Sequence, residues 1–189
     1  MWQNRLTPLE FAAILFHVAE KLTLEVFWVQ LRYMALNGLT GHEAGRLLLA
    51  QLYREKTGEP MPEILTGPRG KPYFAEGNLH FSISHTKHYA FCALSEKNIG
   101  IDAEEMDRTI NLQLADKILS PREKIRFAQA EDSRAALLKL WVLKEAAGKL
   151  SGEGIKGYPN HTDFSPEDPR IQEISGCYVA VTEGEHYVI

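Results

Sequence analysis

Cysteine is scarce in this chain: two in 189 residues, Cys92 and Cys177. They lie far apart, without the close spacing of a metal-binding pair, and each sits in an apolar, strand-like run. They therefore read as buried free thiols in a reducing compartment. Long apolar runs are also missing. A membrane span needs about 20 consecutive apolar residues, and Asn4, Arg5, Glu10, Glu20 and Lys21 break up the first part of the chain. Neither a membrane segment nor a secretory leader is expected, and a cytoplasmic location follows. Positive charge is not in excess, with 21 Lys and Arg against 25 Asp and Glu. That balance gives no support to nucleic acid as a partner. A polyanionic ligand would need a local basic cluster or a metal ion to hold it. The longer glycine spacing of a Walker loop is absent too.

What is present is clear punctuation. Thr7-Pro8-Leu9-Glu10 reads as a helix start, with Phe11, Ile14, Leu15, Val18 and Leu22 at helical spacing, followed by a strand over 22–31. Ala44, Leu47, Leu48 and Leu52 predict a helix over 43–56, closed by Gly58. Pro60, Pro62, Gly67, Pro68, Gly70 and Pro72 predict a loop-rich passage. The runs 79–84 and 89–94 predict a hairpin around His85-Thr86-Lys87-His88. A helix over 110–119 is expected next, then a capped helix start at Ser120-Pro121-Arg122-Glu123 and a long helix over 133–150. Cys177–Thr182 and Tyr187–Ile189 predict a closing hairpin around Gly184. Helix then hairpin occurs twice, so an α+β fold of two similar halves is expected, 1–97 and 98–189.

At the boundary lies Gly100-Ile101-Asp102-Ala103-Glu104-Glu105. In an extended segment Asp102 and Glu104 share one face. Two carboxylates side by side call for a cation between them or a proton on one. A divalent cation such as Mg²⁺, completed by substrate phosphate, suits hard oxygen donors; a solvated acidic turn is the other reading. On the long helix, Glu145 and Lys149 are four apart, with Trp141 one turn earlier. They read either as a surface ion pair or as a third acid plus a phosphate-neutralising cation. Arg69 and Lys71, in a loop stiffened by Pro68 and Pro72, form a candidate phosphate clamp. Alternation places Ser82 and Ser84 on one strand face, with His85 at the strand end as a candidate donor to phosphate.

Taken in order, these motifs resemble one family. Gly70-Lys71-Pro72, Phe81-Ser82-Ile83-Ser84-His85-Thr86, Gly100-Ile101-Asp102-Ala103-Glu104, and Trp141-Val142-Leu143-Lys144-Glu145-Ala146 with Lys149 resemble the 4′-phosphopantetheinyl transferase superfamily. The likeness is to its surfactin-synthetase-activating type, which has two halves in one chain, and it covers about 44–155. It implies a pseudo-twofold pair of α+β halves with the site at the seam. It implies transfer of the phosphopantetheine arm of coenzyme A to a serine of an apo acyl or peptidyl carrier protein, releasing adenosine 3′,5′-bisphosphate. Such carriers serve fatty acid, polyketide or nonribosomal peptide synthesis. By motif position, Asp102, Glu104 and Glu145 would hold Mg²⁺ (or Mn²⁺), with Glu145 also the base for the serine proton. Lys149 and His85 would contact phosphates, Lys71 the nucleotide end, and Ser84 coenzyme A as well, with Arg46, Arg69 or Arg32 as candidates to replace the cations that relatives place at the 3′-phosphate. An internal two-half site makes a monomer sufficient. Lys117, Arg122, Lys124 and Arg126 form a local basic cluster suited to an acidic carrier helix. A Mg²⁺-dependent nucleotide phosphohydrolase and a non-catalytic carrier- or coenzyme A-binding relative are the alternatives.

Overall fold

The computed structural model describes residues 24–26, 29–154 and 162–184. The helix expected near 8–22 and the strand expected at Tyr187–Ile189 lie outside these. The run expected as one strand over 22–31 is divided: β1 (Leu24–Val26) pairs antiparallel with β2 (Val29–Ala35), Val26 opposite Val29. The run carries no Gly, Pro or Asn to announce a reversal.

Helix α1 spans Gly41–Thr57. Thr40 caps it in a reciprocal capping box with Glu43, and Gly58 ends it at φ 77°. In the section expected as loop, β3 (Ile64–Thr66) and β4 (Pro72–Phe74) form a short antiparallel pair. Proline is tolerated at the first residue of a strand, as Pro72 is here, so its presence did not exclude one. Strands β5 (His80–His85) and β6 (Tyr89–Ser95) form the expected hairpin. These elements build a four-stranded sheet in the order β1-β2-β6-β5. Ala44, Leu48, Leu49 and Leu52 of α1 bury against Phe81, Ala90, Cys92 and Leu94 of that sheet. Gly45 lets the helix come close: a Cβ there would stand 2.5 Å from Ile83 Cγ2.

Strand β7 (Ile99–Glu105) carries the acidic run. The helix expected over 110–119 is instead a 3₁₀ turn, Leu112–Leu114, followed by α2 (Ala115–Ile118). Asn111 starts that turn by accepting from the Gln113 N–H at 3.0 Å. The capping box at Ser120 opens α3 (Pro121–Gln129) as the motif predicts. Helix α4 spans Ser133–Ser151, capped by Asp132 and ended by Gly152. Strands β8 (Ile171–Ile174) and β9 (Cys177–Glu183) complete a three-stranded sheet in the order β7-β9-β8. Among the described residues β9 pairs with the strand before it, β8, Ile174 opposite Cys177. Their turn is Ser175-Gly176, with φ of 49° and 74°, the left-handed pair that matches strand twist.

Helix α4 buries Leu137, Leu138, Leu140, Val142, Leu143 and Ala146 against Tyr178 and Ala180. It presses hard on β7 at Gly100, where a Cβ would fall 2.0 Å from Ala146 O and 2.5 Å from Leu150 N. The two larger sheets share a core in which Leu31, Phe91 and Ala93 meet Ile99, Ile101 and Val179. Where β5 meets β7, two serine hydroxyls join the strands. Ser82 Oγ accepts from the Ile101 N–H at 3.1 Å, and Ser84 Oγ from the Ala103 N–H at 3.2 Å. Both cysteines are buried and free.

Candidate active site

Strand periodicity gives β7 two acids on one face, and that face meets α4, where Glu145 and Lys149 stand one turn apart. Asp102 is buried. Its Oδ1 accepts from Lys149 Nζ at 2.7 Å and from Ser84 Oγ at 2.9 Å. Its Oδ2 is buried with no hydrogen-bond partner, an arrangement that is costly in a closed interior. Glu104 is ion-paired to Arg108, whose guanidinium lies 5.9 Å from the centre of the Trp141 ring.

Burial pushes the Glu104 carboxyl up from its ordinary range; Arg108 opposes this, and the neighbouring charge of Asp102 adds to it. Burial likewise raises Glu145, reinforced by Asp102 and opposed by Lys149. Three carboxylates thus sit close enough to feel one another, with Lys149 and Arg108 as the cations between them. The cluster is rich in hard oxygen donors, and the unpartnered Asp102 Oδ2 is among them, which is the chemistry a divalent cation takes. The acids are neighbours and not a closed cage. Among the described residues no group of three or more His, Cys, Asp and Glu stands ready to hold a metal ion. Arg108 holds Glu104, and Lys149 holds Asp102.

Beside the acids, a cleft of about 250 Å³ is lined by Arg69, Lys71, Ile83, Lys149 and Gly152. Arg69 reaches across to Glu153 at 2.5 Å. Lys71 Nζ donates to Asn98 Oδ1 at 2.6 Å, Leu150 O at 2.9 Å and Ile99 O at 3.2 Å. Its three protons are therefore all directed at protein oxygens, and burial lowers its pKa to about 8. The loop cations and Lys149 line one cleft, where Lys71 serves as a strut between the loop and the C-terminal end of α4. His85 is exposed at the end of β5, against Gly41 in the first turn of α1, where a Cβ would stand 2.3 Å from its Cγ.

Two contributors are not announced by the sequence, and the amide that Ser82 meets is fixed only by the strand pairing. Arg108 stands four residues after Glu104, just beyond the end of β7. Glu123, beyond its capping role, accepts from Lys144 at 2.8 Å and from the Phe164 N–H at 2.9 Å, a buried ion pair next door to Glu145.

Comparison with known proteins points to one superfamily. A family model, ACPS, the 4′-phosphopantetheinyl transferase superfamily, matches residues 98–187. The 4′-phosphopantetheinyl transferase psf-1 of Bacillus pumilus is 33% identical over 130 residues, 66% of this chain and 55% of that protein. The 4′-phosphopantetheinyl transferase HetI of a Nostoc species is 38% identical over 95 residues, 46% of this chain and 40% of that protein. YieE of Escherichia coli K12 is 30% identical over 149 residues, 76% of this chain and 57% of that protein. The chain spans about half the length of the curated relatives it matches. The motifs, the fold that assembles them and these matches together place the chain in the 4′-phosphopantetheinyl transferase superfamily.

Proposed function

We propose that this chain transfers the phosphopantetheine group of coenzyme A to a serine of an apo acyl or peptidyl carrier protein, in the manner of the surfactin-synthetase-activating type. The reading rests chiefly on one observation: Glu145 feels the charges of Asp102 and Glu104, and Lys149, which holds Asp102, also lines a cleft with Arg69 and Lys71. Acids alone would repel a pyrophosphate. Acids with a bound divalent cation and flanking lysine would attract one. Asp102, Glu104 and Glu145 would hold Mg²⁺ or Mn²⁺, which would neutralise phosphate charge. Glu145, raised by burial, is a suitable acceptor for the serine proton. The serine oxygen then bonds to the pantetheine-side phosphorus, the bridge to the other phosphate breaks, and adenosine 3′,5′-bisphosphate leaves. Lys149, whose ammonium already sits at Asp102, would meet the charge developing on the phosphates, with His85 as a second donor and Ser84 beside them.

Further parts of the reading follow the family resemblance. The site would lie at the seam of two related halves, 1–97 and 98–189, so a monomer would suffice, working in the cytoplasm. Among the described residues no helix is long and apolar enough to cross a membrane. The carrier would dock on the face bearing Lys117, Arg122 and Lys124, beside the exposed side chains of Leu112 and Ile125. Arg126 contributes less, being engaged with Asp163 and the Phe164 carbonyl. Reversing charge at Arg122 and Lys124 is expected to raise KM for the carrier and flatten its salt dependence; unchanged values would remove this face from the reading.

The deciding experiment incubates the protein with coenzyme A, Mg²⁺ and an apo carrier, and weighs the carrier by mass spectrometry. A gain of one phosphopantetheine is expected, and Glu145→Gln is expected to slow it by about 10²–10⁴-fold. No gain on acyl or peptidyl carriers would sink the transferase reading, and nucleotide release without a carrier would point to a phosphohydrolase.

A further inference from the structure

We propose that Ser84 is a positioning residue for Asp102 and Lys149 and makes no substrate contact through its side chain. The inference rests on the transferase reading for its catalytic consequence, but its structural core stands apart from it. A serine hydroxyl has one proton to give and two lone pairs to fill. Ser84 gives its proton to Asp102 Oδ1 at 2.9 Å. Its lone pairs receive the Ala103 N–H at 3.2 Å and Lys149 Nζ at 3.1 Å. The capacity of the hydroxyl is spent, and the residue is buried. A coenzyme A phosphate would have to displace one of these partners and leave a buried charge or amide unmet, which costs more than one new bond returns.

The position of Ala103 gives this node its leverage. It lies between Asp102 and Glu104, so Ser84 holds both the backbone between the two acids and the side chain of the first. Lys149 completes a triangle, donating to Asp102 at 2.7 Å and to Ser84 at 3.1 Å. One hydroxyl on β5 thereby fixes an acid on β7 relative to a cation on α4. Ser82 provides the natural comparison. It caps the Ile101 amide in the same way at 3.1 Å, from the same face of β5, yet its hydroxyl is bonded to neither Asp102 nor Lys149. The two serines share the task of joining the strands, and Ser84 alone adds the link to the acid.

The test compares Ser84→Ala with Ser82→Ala in the full chain. For Ser84→Ala, kcat for carrier modification is expected to fall about 10–100-fold, as for loss of a hydrogen bond to a charged group, while KM for coenzyme A stays within about twofold. Ser82→Ala is expected to lower the thermal midpoint comparably with a several-fold smaller loss of kcat. A rise in coenzyme A KM with kcat retained would show a substrate contact and overturn the proposal, as would equal kcat losses in the two variants. If Ser84→Ala does not fold, Ser84→Cys, close in volume and a weaker donor, is read the same way. A second arm needs no activity. In denaturant unfolding, Ser84→Ala and Asp102→Asn are expected to be non-additive in the double variant, and additivity would overturn the proposal. Coupling in that arm with no carrier modified by the wild type would sink the transferase reading and leave Ser84 as the holder of Asp102.

Discussion

Glu145 shows how one residue can serve activity at a cost in stability. Its carboxyl is half-buried beside Asp102, with Glu104 adding to the repulsion and Lys149 only partly offsetting it. Burial and like charge both raise its pKa, so the sign is definite. The folded protein holds that proton more tightly than the unfolded chain, and the associated stability is lost as pH rises through the raised value. Glu145→Gln removes a charge from that cluster. It is therefore expected to raise the thermal midpoint of the metal-free protein at neutral pH, by scanning calorimetry, in the same variant that loses transfer activity. A lower midpoint would mean that the Lys149 attraction outweighs the repulsion.

Two contacts set how α4 presents its residues. The first is the passage of β7 beneath it at Gly100, where an added Cβ would meet backbone atoms that cannot step aside, Ala146 O and Leu150 N. Gly100→Ala is expected to cost roughly 1–3 kcal/mol of stability in denaturant unfolding, as overpacking does. It would also reduce transfer activity, because the strand that moves away carries Asp102 and Glu104. The second is the Lys144–Glu123 pair, at 2.8 Å and almost wholly buried. Lys144 also donates to Thr162 O at 3.2 Å, so the residue beside Glu145 is tied to α3 and to the segment leading into β8. In the sequence, Lys144 reads as one more lysine on a helix, and Glu123 as a capping residue. Their pairing depends on how α3 and α4 cross, which no local spacing reports.

At the scale of the molecule, Lys71 ties the loop over the cleft to the end of α4 and the start of β7. Burial depresses its pKa to about 8, against 10.5 for the free group. Between those values the unfolded chain binds the extra proton, so the contribution of Lys71 to stability rises with pH across that window and is lost as pH falls through about 8. Lys71→Met is expected to flatten the pH dependence of the unfolding midpoint between about pH 8 and 10 relative to wild type. An unchanged slope would mean that the three carbonyl and amide acceptors hold the ammonium charged to its ordinary value.

The long amphipathic helices, the capping box at Ser120, the β5–β6 hairpin and the shared face of Asp102 and Glu104 were legible in the sequence. Each follows from spacing within a few residues, where helix and strand periods and cap chemistry decide the outcome. Short elements were not legible: the division of 22–31 into two strands, the β3–β4 pair among prolines, the broken helix at 112–118, and β8 as the partner of β9. Their stability comes from what they pack on and not from their own composition. The site divides the same way. Local order along the chain determined which residues were candidates. Only the tertiary structure decided that Ser84 spends its hydroxyl on Asp102, that Arg108 covers Glu104, and that Lys71 is a strut, because a side chain's hydrogen-bond capacity is finite and long-range packing chooses where it goes.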